Sequence, residues 1–369
     1  MALVNGVMVA LEPPRGYHVD LDNPQRRGVP EIYVVTAVFA FLNVLFMVQR
    51  VYTKFFIVKK CNSDDYLLFM AFVLSLVTMG LTLPTYVKKQ AGLHGWELPI
   101  EGLGEYVKIA YIQGPIYAAC GCFAKLSLLT FYLRLSPQRW FIISTWATIA
   151  FQIAYTIVLE GTLIFGCRPI ARGWDITITE GQCLSTAAIY IATAVLNIIS
   201  DVIILVLPIK MVVGLQMKTA RKVGLLAVFT IGSATVITGI VRAALLPAML
   251  NSLDVTWEVA NVSTWFMVEA NLLVICGSMT TLRKCFKHIA PRLIGESGYA
   301  SRKTGHSESE HPGSLMTFGA GGGDKRKRPT ANGYNEFDHD GSGSEEFIMA
   351  ALPRKSPAED QETRIGRAS

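Results

Sequence analysis

The chain has 369 residues, of which 51% are hydrophobic and only 17% charged, and its mean hydropathy is +0.38. Soluble domains carry roughly 25% charged residues; here residues 32–282 read as apolar blocks with short polar breaks, which excludes a water-soluble core as the organising frame. The net charge of +6 lies in those breaks and in the last stretch, where membrane proteins collect Lys and Arg, so no nucleic-acid partner is expected.

In chain order, residues 1–11 are only weakly apolar, lack a basic start and run into Pro13 and Pro14. They do not read as a cleavable signal peptide. Residues 1–31 are therefore expected to be a short outer segment, with the first span acting as its own insertion signal. A bilayer core of about 30 Å needs roughly 20 apolar helical residues at about 1.5 Å each. Seven segments qualify, at about 32–49, 66–86, 109–133, 141–166, 184–209, 223–250 and 259–282. A soluble bundle would need a polar face on every helix, and 191–209 or 141–151 offers almost none. The fold class is an all-α membrane protein: a seven-transmembrane helix bundle over 32–285. Pro84, Pro115, Pro208 and Pro247 fall within or end spans and predict kinks.

The breaks differ in charge. Arg50, Lys54, Lys59 and Lys60 follow the first span, Arg134 and Arg139 the third, Lys218, Arg221 and Lys222 the fifth, and Arg283, Lys284 and Lys287 the seventh. The alternate breaks hold Lys88, Lys89, Lys108, Arg168 and Arg172, and the last of them, around Asp254, is acidic. Positive-inside then puts the N-terminus outside and the C-terminus in the cytoplasm, with the plasma membrane the expected site. His94, in one of the outer breaks, is read as a solvated loop residue.

Between the fourth and fifth spans, Cys167 and Cys183 sit at the outer helix ends, in a compartment that permits oxidation. A bridge there would close a loop of about 17 residues and restrict the unfolded chain by roughly 3 kcal/mol; the alternative is two free thiols at the membrane boundary. Cys120, Cys122 and Cys276 fall inside spans as small packing residues, and with no CxxC pair a metal site is not expected. Residues 286–369 are rich in Gly, Ser, Lys and Glu and are expected to be a disordered cytoplasmic tail, its basic run at 325–328 meeting anionic lipid.

Ionisable residues near a helix centre cost roughly 2.5–3.5 kcal/mol on insertion scales and are functional candidates by default. Lys125, Glu160, Asp201, Arg242 and Glu269 occupy five different spans. Counting inward at about 1.5 Å per residue, Lys125 and Asp201 both lie about 12 Å from the inner ends of their spans. From the outer side, Arg242 lies about 12 Å deep, Glu269 about 15 Å and Glu160 about 9 Å. Two depth-matched sets of opposite sign result. Lys125 and Asp201, with Asn197 one turn above Asp201, form an intramembrane polar lock; Arg242 with Glu269 or Glu160, and Asn271 nearby, form a candidate ligand site. Structural pairing that holds the bundle together is the alternative, and Lys125 could also snorkel inward.

With these residues placed, the chain resembles the fungal rhodopsin-domain family of seven-helix integral membrane proteins, over about residues 30–290. The matching pieces are Arg50 to Tyr52 with Asp64 to Tyr66; Lys125 to Arg134; Cys167 to Ile170 with Trp174, Asp175 and Cys183; Asn197, Asp201 and Leu207 to Ile209; Arg242; and Asp254, Trp257 and Glu269 to Asn271. The resemblance implies a receptor-like protein. A retinal opsin needs a lysine in its seventh span, and 259–282 has none, so no cofactor is expected. No HExxH, GxSxG or Walker motif occurs, so no enzyme is expected. The expected function is sensing of a small extracellular or membrane-borne ligand, with a cytoplasmic signalling partner and the lipid bilayer as surroundings. The alternatives are a small-metabolite transporter and a membrane scaffold for partner enzymes.

Overall fold

The computed structural model describes residues 2–4, 6–21, 23–213 and 219–289. Among the described residues, seven helices are long and apolar enough to cross a membrane. They are α1 (Val29–Tyr52), α2 (Ser63–Val87), α3 (Ile100–Leu133), α4 (Arg139–Phe165), α5 (Thr186–Val213), α6 (Thr219–Asn251) and α7 (Val255–Ile289). Two short antiparallel pairs complete the fold, β1 (Ala2–Val4) with β2 (Val7–Val9) and β3 (Cys167–Arg168) with β4 (Gln182–Cys183). The tail expected from residue 286 lies, beyond Ile289, outside the described residues, as do the side chains of Lys218, Arg221, Lys222, Arg283, Lys284 and Lys287.

Helix ends follow local chemistry. Gly28, at φ 72°, makes the left-handed entry into α1, and Pro30 and Glu31 suit its first turn. α1 winds into a π-helical turn at Thr53–Val58 before the chain breaks. α2 opens on a capping box: Asn62 and Asp65 each cap the other's backbone, and Asp64 and Asp65 lie against the positive end of the helix dipole. α2, α3, α5 and α6 all run through their prolines without interruption.

Three spans are longer than hydropathy suggested, because backbone hydrogen bonding continues where apolar character stops. α3 starts at Ile100 rather than 109, α6 at Thr219 rather than 223, and α7 extends from Val255 to Ile289. α7 is the central element: 56% of its most apolar window is buried, against 22% for α1, α4 and α5, and it packs on α1, α2, α3 and α6. Small side chains permit close approach: Ala71 of α2, Cys120 and Ala124 of α3, and Ala270 of α7 form one buried cluster with Leu273 and Val274. The outer surface is apolar. Phe41, Phe56, Ile143, Trp146, Ile157, Val158 and Ile237 all project from the bundle. In water such a surface would aggregate; in hydrocarbon it is the solvated face.

Candidate functional site

The buried charges converge at the middle of the bundle. Lys125 of α3 is fully buried and donates from Nζ to Asp201 of α5 at 2.9 Å and to Asn197 Oδ1 at 2.7 Å. Arg242 of α6, 1% exposed, donates from Nε and Nη2 to the two carboxylate oxygens of Glu269 on α7, at 2.8 and 3.2 Å. The Arg242 guanidinium also sits 4.8 Å over the Phe266 ring.

The two pairs expected at different depths are one network. Asn197 accepts from Lys125 through Oδ1 and donates through Nδ2 to Glu269 Oε1, so a continuous path runs from Asp201 through Lys125, Asn197 and Glu269 to Arg242. Two cations face two carboxylates, which leaves no net charge in a medium where an unpaired one would be costly. Lys125 is held inside the bundle by these partners and does not snorkel.

Two expected members stand elsewhere. Asn271 accepts through Oδ1 from Ser75 Oγ at 2.7 Å and from Asn43 Nδ2, and donates to the Met267 carbonyl at 2.6 Å, in a separate polar knot between α1, α2 and α7. The reason is rotation: two residues along a helix is about 200° around it, so Asn271 points away from the face that carries Glu269. Glu160 is on α4, which packs on α3 and α5, whereas Arg242 and Glu269 are on α6 and α7. Its Oε1 is buried without a hydrogen-bond partner among the described residues.

A second buried network closes the bundle end opposite the N-terminal segment. Arg50, 2% exposed, donates to Asp64 (2.7 Å), Asp65 (2.9 Å), the Gly277 carbonyl (2.7 Å) and Thr280 Oγ1 (3.0 Å), tying the end of α1 to α2 and α7. Lys54 pairs with Asp65 at 2.7 Å, Arg134 approaches Asp64 at 3.4 Å, and Ser127 donates to the Asp64 carbonyl. Arg50 and Lys54, read as loop cations, are thus structural and neutralised. The spacing of Arg50 and Asp64–Asp65 across one short break was the signal that could have revealed it.

At the other end the N-terminal segment is fastened over the α2–α3 connection. Leu11 and Arg27 donate backbone N–H groups to Gly95 and Gly92. Tyr17 donates to Glu97 at 2.7 Å, and that bond holds the phenol above its ordinary range. His94 is not a solvated loop residue: its ring stacks between Trp96 and Trp257, at 4.4 and 3.8 Å, and Nδ1 lies 2.5 Å from Asp254. Arg27 pairs with Glu258 at 2.8 Å and lies over Trp257. Across the α4–α5 connection, Cys167 and Cys183 are joined as a disulfide. Beside it Asp175 accepts from the Thr177 N–H and hydroxyl, which hold its carboxyl below the ordinary range.

One cavity reaches the central network, and a second shares part of its lining. The first is small, with about 20 Å³ of space for water-sized molecules, room for roughly one water. Its walls include Tyr155, Thr193, Asn197 and Arg242. The other is an apolar groove of about 660 Å³ between α4 and α5. No cluster of His, Cys, Asp and Glu suited to a metal occurs among the described residues.

The profile of the Fungal rhodopsin domain family matches residues 49–288. The protein called Polyenoic acids biosynthesis gene cluster protein Ba17b, from Metarhizium anisopliae, is 25% identical over 293 residues, covering 76% of this chain and 79% of the relative. A SAT4 family membrane protein from Emericella nidulans is 30% identical over 200 residues, 53% of this chain and 50% of the relative. Receptor GIN3 from Arthrobotrys oligospora is 23% identical over 273 residues, 73% of this chain and 66% of the relative. The matched stretch contains both buried networks and none of the N-terminal segment that covers the other end. The chain belongs to the Fungal rhodopsin domain family.

Proposed function

We propose that this Fungal rhodopsin domain protein is a receptor-like sensor of a small extracellular or membrane-borne ligand, and that it acts without catalysis. The observation that carries the reading is the junction at Asn197. Two ion pairs on four different helices share one neutral side chain, so a shift of α5 against α7 would exchange partners without stranding a charge. Such an element can have two discrete arrangements, which a sensor requires. Receptor GIN3 is a relative whose name fits the same role. The excess of basic residues at the Arg50 end supports placing that end in the cytoplasm, with the N-terminal segment outside the plasma membrane. There a signalling protein would meet the basic breaks and the C-terminal region.

A second reading, transport of a small metabolite, draws on the relative named for a polyenoic acids biosynthesis gene cluster. The test is thermal unfolding of the full-length protein across a library of fungal metabolites and lipids, together with the Arg242→Leu/Glu269→Leu double variant. A ligand present at a hundred times its Kd stabilises by about 2.7 kcal/mol. A shift lost in the folded double variant supports sensing or transport, and flux of the same compound into vesicles decides for transport. No shift with any compound would return the charges to a purely structural role.

A further inference from the structure

Both cavities border the same three residues. Tyr155 and Leu159 of α4 and Thr193 of α5 line both the lipid-side groove and the small cavity beside Arg242. The groove lies toward the disulfide-linked connection, since Thr162, Leu184 and Ser185 line it too, and its remaining walls are apolar, among them Phe151, Ala188 and Ala192. Its volume of about 660 Å³ is within the range of small-molecule sites.

The lining of the small cavity offers donors. Glu269 accepts from Nε and Nη2 of Arg242, which leaves the Nη1 amino group with two N–H donors that no described residue takes. Arg242 lines the small cavity, so these donors can meet a guest there. The Tyr155 hydroxyl accepts from Gln152 at 2.8 Å, and no acceptor among the described residues takes its own proton. Both carboxylates of the network, Asp201 and Glu269, are absent from the cavity wall. A guest there meets a cation and hydroxyl groups, with neither carboxylate of the network on the wall itself.

We propose that the α4–α5 groove binds a single-chain amphiphile that comes from the bilayer, with its apolar chain along Ala188 and Ala192 and a carboxylate headgroup taken by Arg242 and Tyr155. The cavity has room for about one carboxylate oxygen and not for a phosphate. This deepens the sensor reading and rests on it: the occupant would draw Arg242 from Glu269 and so loosen the junction at Asn197. A chain leaving lipid for an apolar groove gains little from burial, because lipid tails are as apolar as the groove walls. Discrimination therefore falls on the headgroup, which separates this site from an ordinary lipid-facing crevice.

The probe is a palmitic acid carrying a mid-chain diazirine, photolysed with the full-length protein in phosphatidylcholine nanodiscs. Crosslinks are expected on the segments around Phe151–Thr162 and Leu184–Leu196. Palmitic acid should compete about tenfold or more better than methyl palmitate, as expected for a hydrogen bond to a charged group. Ala192→Trp, which fills the groove, should abolish labelling in a protein that unfolds at the unchanged temperature, and Tyr155→Phe should weaken it severalfold. Equal labelling of all lipid-facing helices, or equal competition by acid and ester, overturns the proposal. Absent labelling beside a thermal shift with a water-soluble ligand would reject this site and leave the sensor reading intact. Labelling with no change in the distance between spin labels on α5 and α7 would keep the site and reject sensing.

Discussion

Among the described residues the bundle holds two buried arginines, and they are held in different ways. Arg50 takes its acidic partners, Asp64 and Asp65, from the next helix along the chain, and the capping box of Asn62 and Asp65 fixes that helix start independently. Backbone and hydroxyl oxygens of α7 complete its shell. Arg242 has one carboxylate, Glu269, which also accepts from the shared amide of Asn197. The Arg50 end is set largely by local chain geometry, so it ties. The centre is set by how four helices assemble, so it registers the position of α3, α5, α6 and α7 relative to one another.

The largest effect should separate the two regions by removing one central partner. Glu269→Leu leaves Arg242 buried and unpaired and should cost about 3–5 kcal/mol in unfolding free energy. Adding Arg242→Leu should restore most of it, since an apolar pair of similar volume is often neutral. Denaturant unfolding in detergent checks both; a double variant as unstable as the single would show that Glu269 has a further structural task. At the other end, Arg50→Lys keeps the charge but cannot span Asp64, Asp65 and the α7 carbonyl together. It should cost about 1.5–3 kcal/mol, as for hydrogen bonds to charged groups, without altering any ligand-induced thermal shift. A lost shift would mean that the Arg50 end also takes part in sensing.

The junction itself gives the next test. Asn197→Leu removes the link but neither ion pair and should cost about 1–2 kcal/mol, the range of interhelical hydrogen bonds in membranes. In a double-mutant cycle, Asp201→Asn and Glu269→Gln should be non-additive when Asn197 is present and additive when it is not. Additivity in both backgrounds would mean that two independent locks lie side by side. Exchanging the charges of Lys125 and Asp201 should likewise be better tolerated than reversing either alone.

What the sequence revealed follows from what each inference depends on. Span number depends on bilayer thickness and rise per residue, and both are fixed. The partners Lys125–Asp201 and Arg242–Glu269 were legible by depth, because charge of opposite sign at one depth has few alternatives in hydrocarbon. Depth says nothing about rotation, which is why Asn271 was grouped with Glu269 although it faces α1 and α2. Nor does it order helices in space, so Glu160 was matched to Arg242 across a bundle in which α4 sits against α3 and α5. The link through Asn197 needed both. The Arg50 network was hidden by a different cause: counting cations for orientation treats them as solvated, and two of those counted are buried.

The smallest effect belongs to the N-terminal covering, where contacts are made at the edge of water. His94 contributes two ring stacks and one contact to Asp254, with its side chain 15% exposed. Each aromatic contact is worth about 0.5–1.5 kcal/mol beyond area burial, and His94→Ala forfeits both. The cover is fastened by backbone bonds from Leu11 and Arg27 as well, so global unfolding should change little, while local opening becomes easier. Hydrogen exchange should therefore accelerate over residues 10–27 and 91–98 and stay unchanged around Lys125 and Glu269. If protection fell along α7 as well, Trp257 would be transmitting the loss into the bundle, and the cover and the central network would have to be treated as one cooperative unit.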